Sequence, residues 1–371
     1  MPSVAVIPAW YPGPGRPLDG VFVRDHVRAA ARDNDVAVLV NDERPPPRRR
    51  LYAVEEAVED GLRTFRIRHS SVPQLGTAGW LSGILVALNR LRREGRRVDL
   101  LHAHVHGAAW TAMLVGGTAR LPYVVSEHSS EFAHGDLPSG RLRRARISFR
   151  RAALVCPVSD YLRSRIEAQG IEADFRVVPN PVDTELFGPA APPPGPPRMI
   201  TVGSLQPAKG LPQLLEALRD LRGDFALDVV GDGPRRAEYE GLTRAAGLAD
   251  RVVFHGLQPK PGVAALMRDA SFLVQPSLGE TFSVVVAEAM SCGLPVVATD
   301  VGGIPELVDE QTALLVEPGN PGALRGAIER MLDGHADYGR DEIRARAVSR
   351  YSLDAIGDAW SDVYRSVSRR G

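Results

Sequence analysis

The sequence predicts an α/β protein of two lobes, each a parallel sheet covered by helices, and three observations carry that expectation. Its 371 residues exceed one ordinary core and suit two domains of about 150 to 200 residues each. Short β-branched runs bounded by turns alternate with amphipathic segments along both halves, as they do where strand, helix and parallel strand repeat. The stretch "GPAAPPPGPPR", Gly188 to Arg198, is so rich in Pro and Gly that neither a helix nor a central strand continues through it. Domains are therefore expected over 1–187 and 198–352, with a linker over 188–197 and a C-terminal helix within 353–371.

In the first half the expected strands are, in order, "SVAVIP", "DVAVLV", "DLLHAH", "YVVSE", "ALVCPV" and "RVVP". Between them "VFVRDHVRAAARDN" and "TAGWLSGILVALNRLRREG" place apolar residues at helical spacing. "RPPPRRR" and "RRLYAVEEAVEDG" read as a surface excursion. The second half repeats the scheme with "RMITVG", "FALDVVGDG", "RVVFHG", "SFLVQPS", "PVVATD" and "TALLVE", and Leu353 to Arg369 reads as a final amphipathic helix.

Lys plus Arg (45) balance Asp plus Glu (45), so no net field draws in nucleic acid. Cys156 and Cys292 stand far apart in apolar surroundings, as reduced core thiols do. The start "MPSVAVIPAWYPGPG" has no basic residues and only a brief apolar run, so it reads as a strand and loop and not as a signal peptide. No run approaches the ~20 apolar residues that cross a bilayer. A cytoplasmic protein is expected, at most resting on the inner face of a membrane. Only two of the 45 cations are lysines, Lys209 and Lys260.

The segment "GETFSVVVAEAMSCGLPVVATDVGGIPE", Gly279 to Glu306, is apolar at its centre apart from Glu280 and Glu288. A carboxylate in such surroundings is costly unless paired or hydrogen-bonded. "LGETF" is the exit loop of a strand and "SVVVAEAMSCG" a buried helix closed by Gly293. Glu280 then stands in the loop and Glu288 about two turns along the helix, with Thr281 and the amides of Phe282, Ser283 and Val284 between them. Two acceptors for hydroxyl groups around donors for phosphate suit a nucleotide-sugar; the plainer reading is two carboxylates satisfied by their neighbours. "VGSLQPAKG", Val202 to Gly210, sets a glycine loop with Gly203 and Ser204 between a strand and a helix, an arrangement that favours anions. Lys209 adds a point charge there. A solvated loop lysine is the ordinary alternative, but a sequence that otherwise writes arginine has placed one of two lysines at this spot.

In the first half, "WYPGPGRPLDGVFVRDHV" carries a Gly/Pro loop through Asp19 to Gly20, where backbone can approach a ligand closely. "HAHVHG" and "SEHSSEF" end expected strands, the place where open α/β sheets bind ligands. His102, His104 and His106 alternate as metal ligands could, yet no further ligand comes at a supporting spacing, so no metal is assigned. His128 is read as a polar contact to substrate, against the alternative of a hydrogen-bonded structural histidine.

Together these residues resemble the family 4 glycosyltransferases, retaining enzymes of GT-B fold, over nearly the whole chain: "WYPGPGRPLDGVFVRDHV", "EHSSEF", "VVPNPVDTELF", "VGSLQPAKG", "ETFSVVVAE" and "GLPVVATDVGGIPELV". The glutamate pair separated by seven residues is the most diagnostic motif. The resemblance implies two Rossmann-like β/α/β domains facing across a cleft, the N-terminal one for the acceptor and the C-terminal one for the nucleotide-sugar, with the C-terminal helix crossing back to the first. It implies that Glu280 binds the donor sugar, Glu288 the ribose hydroxyls and Lys209 the diphosphate, to which Gly20 lends an amide across the cleft. Gly203, Ser204, Thr281, Phe282, Ser283 and Val284 complete the donor site. Asp19, His104 and His128 line the sugar and acceptor pocket, and His128, Glu280 and Lys209 form the catalytic set. No cofactor is implied beyond a UDP- or GDP-sugar as co-substrate. The acceptor it implies is a small-molecule or lipid-linked hydroxyl of cell-envelope glycan or secondary-metabolite biosynthesis. Retention follows from front-face attack in which the leaving phosphate takes the acceptor's proton. Two positions depart from the family: Ser204 stands where many relatives have arginine, and Asp19 replaces the first of two adjacent loop glycines.

Elementary chemistry agrees. Breaking a glycosyl phosphate bond builds negative charge on the leaving diphosphate, which amides and Lys209 stabilise without a metal. No nucleophile and acid carboxylates are paired at comparable positions, as double-displacement hydrolysis would need. A GT-B epimerase or hydrolase would carry extra acid/base residues, and a non-catalytic partner subunit would bind donor without turnover. "RLRRARISFRRAALV", Arg141 to Val155, places Arg144 and Arg151 on a helix with Ile147, Phe149 and Leu154, a face for anionic lipid or an ordinary solvated helix. Thin aromatic content there argues against nucleic acid.

Overall fold

A computed structural model describes residues 1–13, 15, 16, 19–42, 44–47, 50–189 and 195–368. Parts of the Trp10–Gly20 loop, of "RPPPRRR" and of the 188–197 linker, and Arg369 of the final helix, lie outside the described residues. The chain divides into two compact units, Met1–Pro181 with Leu353–Gly371, and Val182–Ser352.

The first unit runs β1 (Ser3–Pro8), α1 (Val21–Ala30), β2 (Asp35–Asp42), β3 (Tyr52–Glu59), β4 (Leu62–His69), α2 (Pro73–Arg93), β5 (Leu100–His104), α3 (Val105–Ala119), β6 (Tyr123–Glu127), α4 (Ser130–His134), α5 (Ser139–Arg151), β7 (Leu154–Pro157) and α6 (Asp160–Glu167). Its seven strands order as β3-β4-β2-β1-β5-β6-β7, parallel except for the antiparallel β3–β4 pair. The second unit runs β8 (Arg198–Val202), α7 (Leu211–Arg219), β9 (Ala226–Val230), α8 (Arg236–Ala245), β10 (Val252–Gly256), α9 (Lys260–Asp269), β11 (Phe272–Gln275), α10 (Val284–Ser291), β12 (Val296–Thr299), β13 (Ala313–Val316), α11 (Pro321–Gly334) and α12 (Arg340–Tyr351). Its six strands are parallel in the order β10-β9-β8-β11-β12-β13. The last helix, α13 (Leu353–Ser368), returns to the first unit. There Ile356, Trp360, Val363 and Tyr364 join Val23 and Val27 of α1 in one core.

Two expectations need correcting in the first sheet. The stretch read as a surface excursion contains β3, and the segment after it, which had no strand assigned, is β4. The two form a hairpin on a two-residue Asp60-Gly61 turn, both residues at positive φ, a strong hairpin signal whose backbone twist matches the strands. The high charge density that disguised it is paired across the ladder: Arg63 with Glu56, Arg66 with Glu59 and Arg68 with Glu55. "RVVP" is no strand, although it runs beside β7: an isolated Val155–Phe175 bridge precedes it, the Arg176 and Val178 amides donate to Val155 O and Pro157 O, and Pro179 has no N–H to extend a ladder.

The Arg141–Val155 helix is also shorter than expected. It ends at Arg151, Leu154 and Val155 belong to β7, and Phe149 is fully buried. Core packing thus removes Leu154 and Phe149 from any lipid-facing side. No helix among the described residues is long and apolar enough to cross a membrane.

Each sheet reverses its strand order once, between β1 and β5 and between β8 and β11. Such points open a crevice at the carboxyl ends of the strands, because the two flanking connections leave in opposite directions.

Candidate active site

In the second unit the switch point brings together Lys209, from the loop after β8, and Glu280, from the loop after β11. Lys209 Nζ donates to Glu280 Oε1 at 2.7 Å, with the two side chains 31% and 11% exposed. The same Oε1 accepts from Ser277 Oγ at 2.9 Å and Gln275 Nε2 at 3.3 Å. All three donors converge on one oxygen, and Oε2 accepts no hydrogen bond among the described residues. Glu280 is therefore held rigidly while one oxygen stays open to a hydroxyl group. Its backbone is fixed by Gly302, whose φ of 59° brings it so close that a Cβ there would lie 1.7 Å from the Glu280 carbonyl oxygen.

Glu288 lies on α10, 6% exposed, and its carboxylate is 3.8 Å from Lys260 Nζ at the start of α9. The two lysines of the chain thus meet its two diagnostic glutamates. Lys260 was missed by sequence reasoning, although its rarity in an arginine-rich chain was the signal that singled out Lys209. A lysine at a helix start is unfavourable toward the helix dipole, so this position is set by its partner.

Ser283 caps α10 with φ 80° and ψ 83° and makes no side-chain cap bond. A non-glycine residue in this left-handed region costs about 1–2 kcal/mol. Its Oγ is buried without a hydrogen-bond partner, an arrangement that costs about 1–3 kcal/mol more. The first amides of α10 have no intrahelical acceptor. Phe282 packs edge-on against Tyr351 at 5.6 Å and is a core residue, Val284 is half-buried, and Thr281 is half-buried in the loop. In the loop after β8 the Gly203 N–H is spent on Val230 O, and those of Leu205 and Lys209 are also taken internally. Ser204 is exposed. This loop thus offers Lys209 and Ser204, and little of its backbone.

The first unit's switch point gathers histidines. Trp360 Nε1 on α13 donates to His26 Nδ1 at 3.0 Å. An indole can only donate, so His26 is neutral with its proton on Nε2, which donates to Asn180 Oδ1 at 3.1 Å. The same Oδ1 faces His128 Nδ1 at 3.2 Å, which makes that nitrogen a donor too. His128 Nε2 then accepts from His104 Nδ1 at 3.2 Å, between rings within 13° of coplanar. The relay ends at His104 Nε2, buried and without a partner. Burial holds His26 down to about 4 and lowers His102, His104 and His128 well below the ordinary imidazole range, the neighbouring imidazoles adding to the effect on these three.

His102 bonds Tyr364 and Ser126 and points into the core. His104 is fully buried, and His128 is 9% exposed. Beside them Glu127, also fully buried, holds the amides of His128, Ser129 and His106. Asn180 escaped sequence reasoning because its partners His26 and His128 come from distant elements; Glu127 escaped it although two of the amides it holds, those of His128 and Ser129, adjoin it in sequence. Among the described residues no group of three His, Cys, Asp or Glu side chains is placed to hold a metal.

Gly20 opens α1 at φ 69°, and a Cβ there would meet the Trp10 carbonyl oxygen at 2.2 Å; the fold alone requires glycine. Asp19 pairs with Arg16 at 3.6 Å on the wall of a cavity of about 240 Å³ that also touches Trp10, Asn41 and Arg66.

Comparison with known proteins places both units in one lineage. Residues 20–186 match the "Glycosyltransferase Family 4" family and residues 196–334 the "Glycosyl transferases group 1" family. The 2-deoxystreptamine glucosyltransferase of Streptomyces kanamyceticus is 31% identical over 74% of this chain and 78% of its own length. The 2-deoxystreptamine N-acetyl-D-glucosaminyltransferase of Streptomyces fradiae is 31% identical over 85% and 84%. Among solved structures, Anabaena HepE in complex with UDP superposes with a TM-score of 0.77 at 20% identity, over 99% of this chain and 100% of that one.

Proposed function

The chain belongs to glycosyltransferase family 4, as a retaining, GT-B-fold glycosyltransferase of the hexosyltransferase class, and on that premise we propose that it moves a hexosyl group from a UDP- or GDP-sugar to a hydroxyl of a small polar acceptor. The donor is held by the second unit. The observation that carries this reading is the Lys209–Glu280 pair at the β8/β11 switch point, set before a helix whose first amides have no intrahelical acceptor. In this reading the open Glu280 oxygen takes a sugar hydroxyl, Lys209 and the α10 amides take the diphosphate, and Glu288 takes the ribose. As the glycosyl bond breaks, charge grows on the leaving oxygen, so these fixed donors stabilise the transition state more than the bound donor.

The first unit is proposed to hold the acceptor, with His128, His104 and Asp19 shaping its pocket. Relatives named for 2-deoxystreptamine support a small acceptor from secondary metabolism over a lipid-linked one. Buried Phe149 and the early end of α5 support the same choice.

Incubation with a panel of nucleotide-sugars and 2-deoxystreptamine, with detection of released UDP or GDP and of the product's anomeric configuration, tests the reading. Turnover is expected to survive EDTA. If chelation abolished it and Mn²⁺ or Mg²⁺ restored it, Lys209 and the amides would not be what neutralises the diphosphate.

A further inference from the structure

The first unit holds a cavity that neither polar cluster uses. It measures about 470 Å³ and lies beside the C-terminal half of α2 and the last turn of α3, over the segments that enter β5 and β6. These are the amino ends of the two strands whose carboxyl ends hold His104 and precede His128. The length of a strand separates the two ends, about 15 Å, so a molecule in this cavity meets none of the histidines.

The lining is apolar below and cationic at the rim. Buried Leu88 and Val98 and half-buried Leu121 supply the apolar part, and exposed Arg92, Arg97 and Arg120, from three different segments, supply the charge. No carboxylate lines the cavity. Among the described residues Arg97 and Arg120 make no hydrogen bond or ion pair, and Arg92 donates only to Asn89 Oδ1 at 2.9 Å. Arginines elsewhere in this unit behave differently: Arg63, Arg66 and Arg68 of β4 each meet a carboxylate. A helix C-terminus favours a cation, which accounts for Arg92 in the last turn of α2, but Arg97 stands on no helix. Arg120 ends α3 at φ 56° and ψ 45°, where glycine is the usual residue and a side chain is strained.

Charge and shape together select an occupant. One bidentate arginine satisfies a carboxylate, whereas three guanidinium groups suit a doubly charged oxyanion with three terminal oxygens. The apolar lining asks for a ring or short hydrocarbon attached to that head, and the volume is ordinary for a small-molecule site. We infer that this cavity binds a soluble phosphate monoester with an apolar body, at a site separate from the donor and acceptor clusters.

Naphthyl phosphate is the probe, titrated calorimetrically into the full chain with UDP and GDP in excess to fill any nucleotide site. The parent should bind it about tenfold or more tightly than inorganic phosphate, which lacks the body, or naphthol, which lacks the charge. Arg97→Ala combined with Arg120→Gly should weaken the probe about tenfold or more. This double variant should melt no lower than the parent, because Arg97 has no partner to lose and glycine enters the left-handed cap freely; lost binding is then not lost folding. A parent that binds no probe, a double variant that binds it as tightly, or naphthol bound as tightly as its phosphate each overturns the inference. Flotation with vesicles of phosphatidic acid in phosphatidylcholine separates the sources of the monoester. A parent that stays unbound is expected, and flotation abolished by the double substitution would overturn the soluble ligand in favour of a lipid head.

Discussion

The two sheets each end in a polar cluster at their switch point, and the two clusters are built on opposite terms. In the second unit, three donors crowd one oxygen of Glu280 and leave the other open, Lys209 is partly exposed, and the Ser283 hydroxyl is unpaired. In the first unit the imidazoles of His26 and His128 are neutral and saturated in series, from the Trp360 indole through Asn180 to His104. An open, charged cluster keeps a carboxylate oxygen and a cation for a ligand, whereas the neutral one closes His26 and His128 on their neighbours and leaves unpaired only the buried ring nitrogens His104 Nε2 and both of His106. On that contrast we propose charge stabilisation for the second unit and shape for the first.

The sharpest way to break that division is to remove the charge. Lys209→Ala should lower kcat by about 10²- to 10³-fold, the usual effect of losing one preorganised donor to developing negative charge. Glu280→Gln keeps the shape and weakens the proposed grip on a sugar hydroxyl near the reacting carbon, so it too should chiefly lower kcat. Steady-state kinetics on variants that melt near the parent temperature check both. Were Lys209→Ala to lose only stability, the ion pair would be a structural strut and the open cluster would lie elsewhere.

The first unit's cluster should show itself in acid. Burial depresses His26, His102, His104 and His128 in the folded chain, His26 to about 4 from 6.5, so unfolding takes up protons at any pH between those values. Stability contributed by neutral His26 is therefore full above about 6.5 and is lost as pH falls toward about 4, by about 3 kcal/mol for this residue alone. Guanidinium denaturation at pH 7.5 and 4.5 measures the loss. Nitrogen-15 shifts of the imidazoles give the stricter check: rings that titrate between pH 7 and 5.5 without unfolding are neither neutral nor closed off.

The two clusters were unequally legible in the sequence. Glu280, Glu288 and Lys209 stood out because charge in an apolar run and lysine among arginines are local anomalies, visible without knowing the fold. His128 stood out by type, but its neutral state depends on Trp360 and Asn180, which are distant in sequence and come together only through α13 and the segment after α6. The α/β rhythm was readable wherever strands are buried on both faces, as "SVAVIP" and "PVVATD" are. It failed at β3 and β4, where an edge hairpin hides under paired charges, although Asp60-Gly61 marked the turn. Backbone angles left no trace in composition, so nothing in the sequence separated the strained cap Ser283 from the relaxed cap Ser159, which accepts from the Leu162 amide.

Glu288 offers a finer test within the charged cluster, because the ribose proposed as its partner is remote from bond breaking. Glu288→Gln should raise the donor KM by about 1–3 kcal/mol in binding, with a smaller effect on kcat. Lys260→Ala, which removes the cation facing it, should raise KM less, since the carboxylate itself remains. A Glu288→Gln enzyme with parental KM and kcat would move Glu288 into the class of satisfied, structural groups, and the asymmetry between the units would rest on Glu280 alone.

The smallest expected effect is the most discriminating for His128. An acid–base histidine needs a free ring nitrogen and a pKa near the working pH. His128 has neither: Nδ1–H is given to Asn180, Nε2 is taken by His104, and burial keeps the ring neutral well below the ordinary range. The profile of kcat/KM from pH 6 to 8 should therefore contain no limb belonging to this residue. His128→Gln should lower the profile as pocket shape is lost and leave its outline unchanged. A limb in the parent that vanishes in His128→Gln would show that the imidazole changes charge during turnover. In that case donor binding must break the Asn180–His128–His104 relay, and the first unit would carry charge chemistry after all.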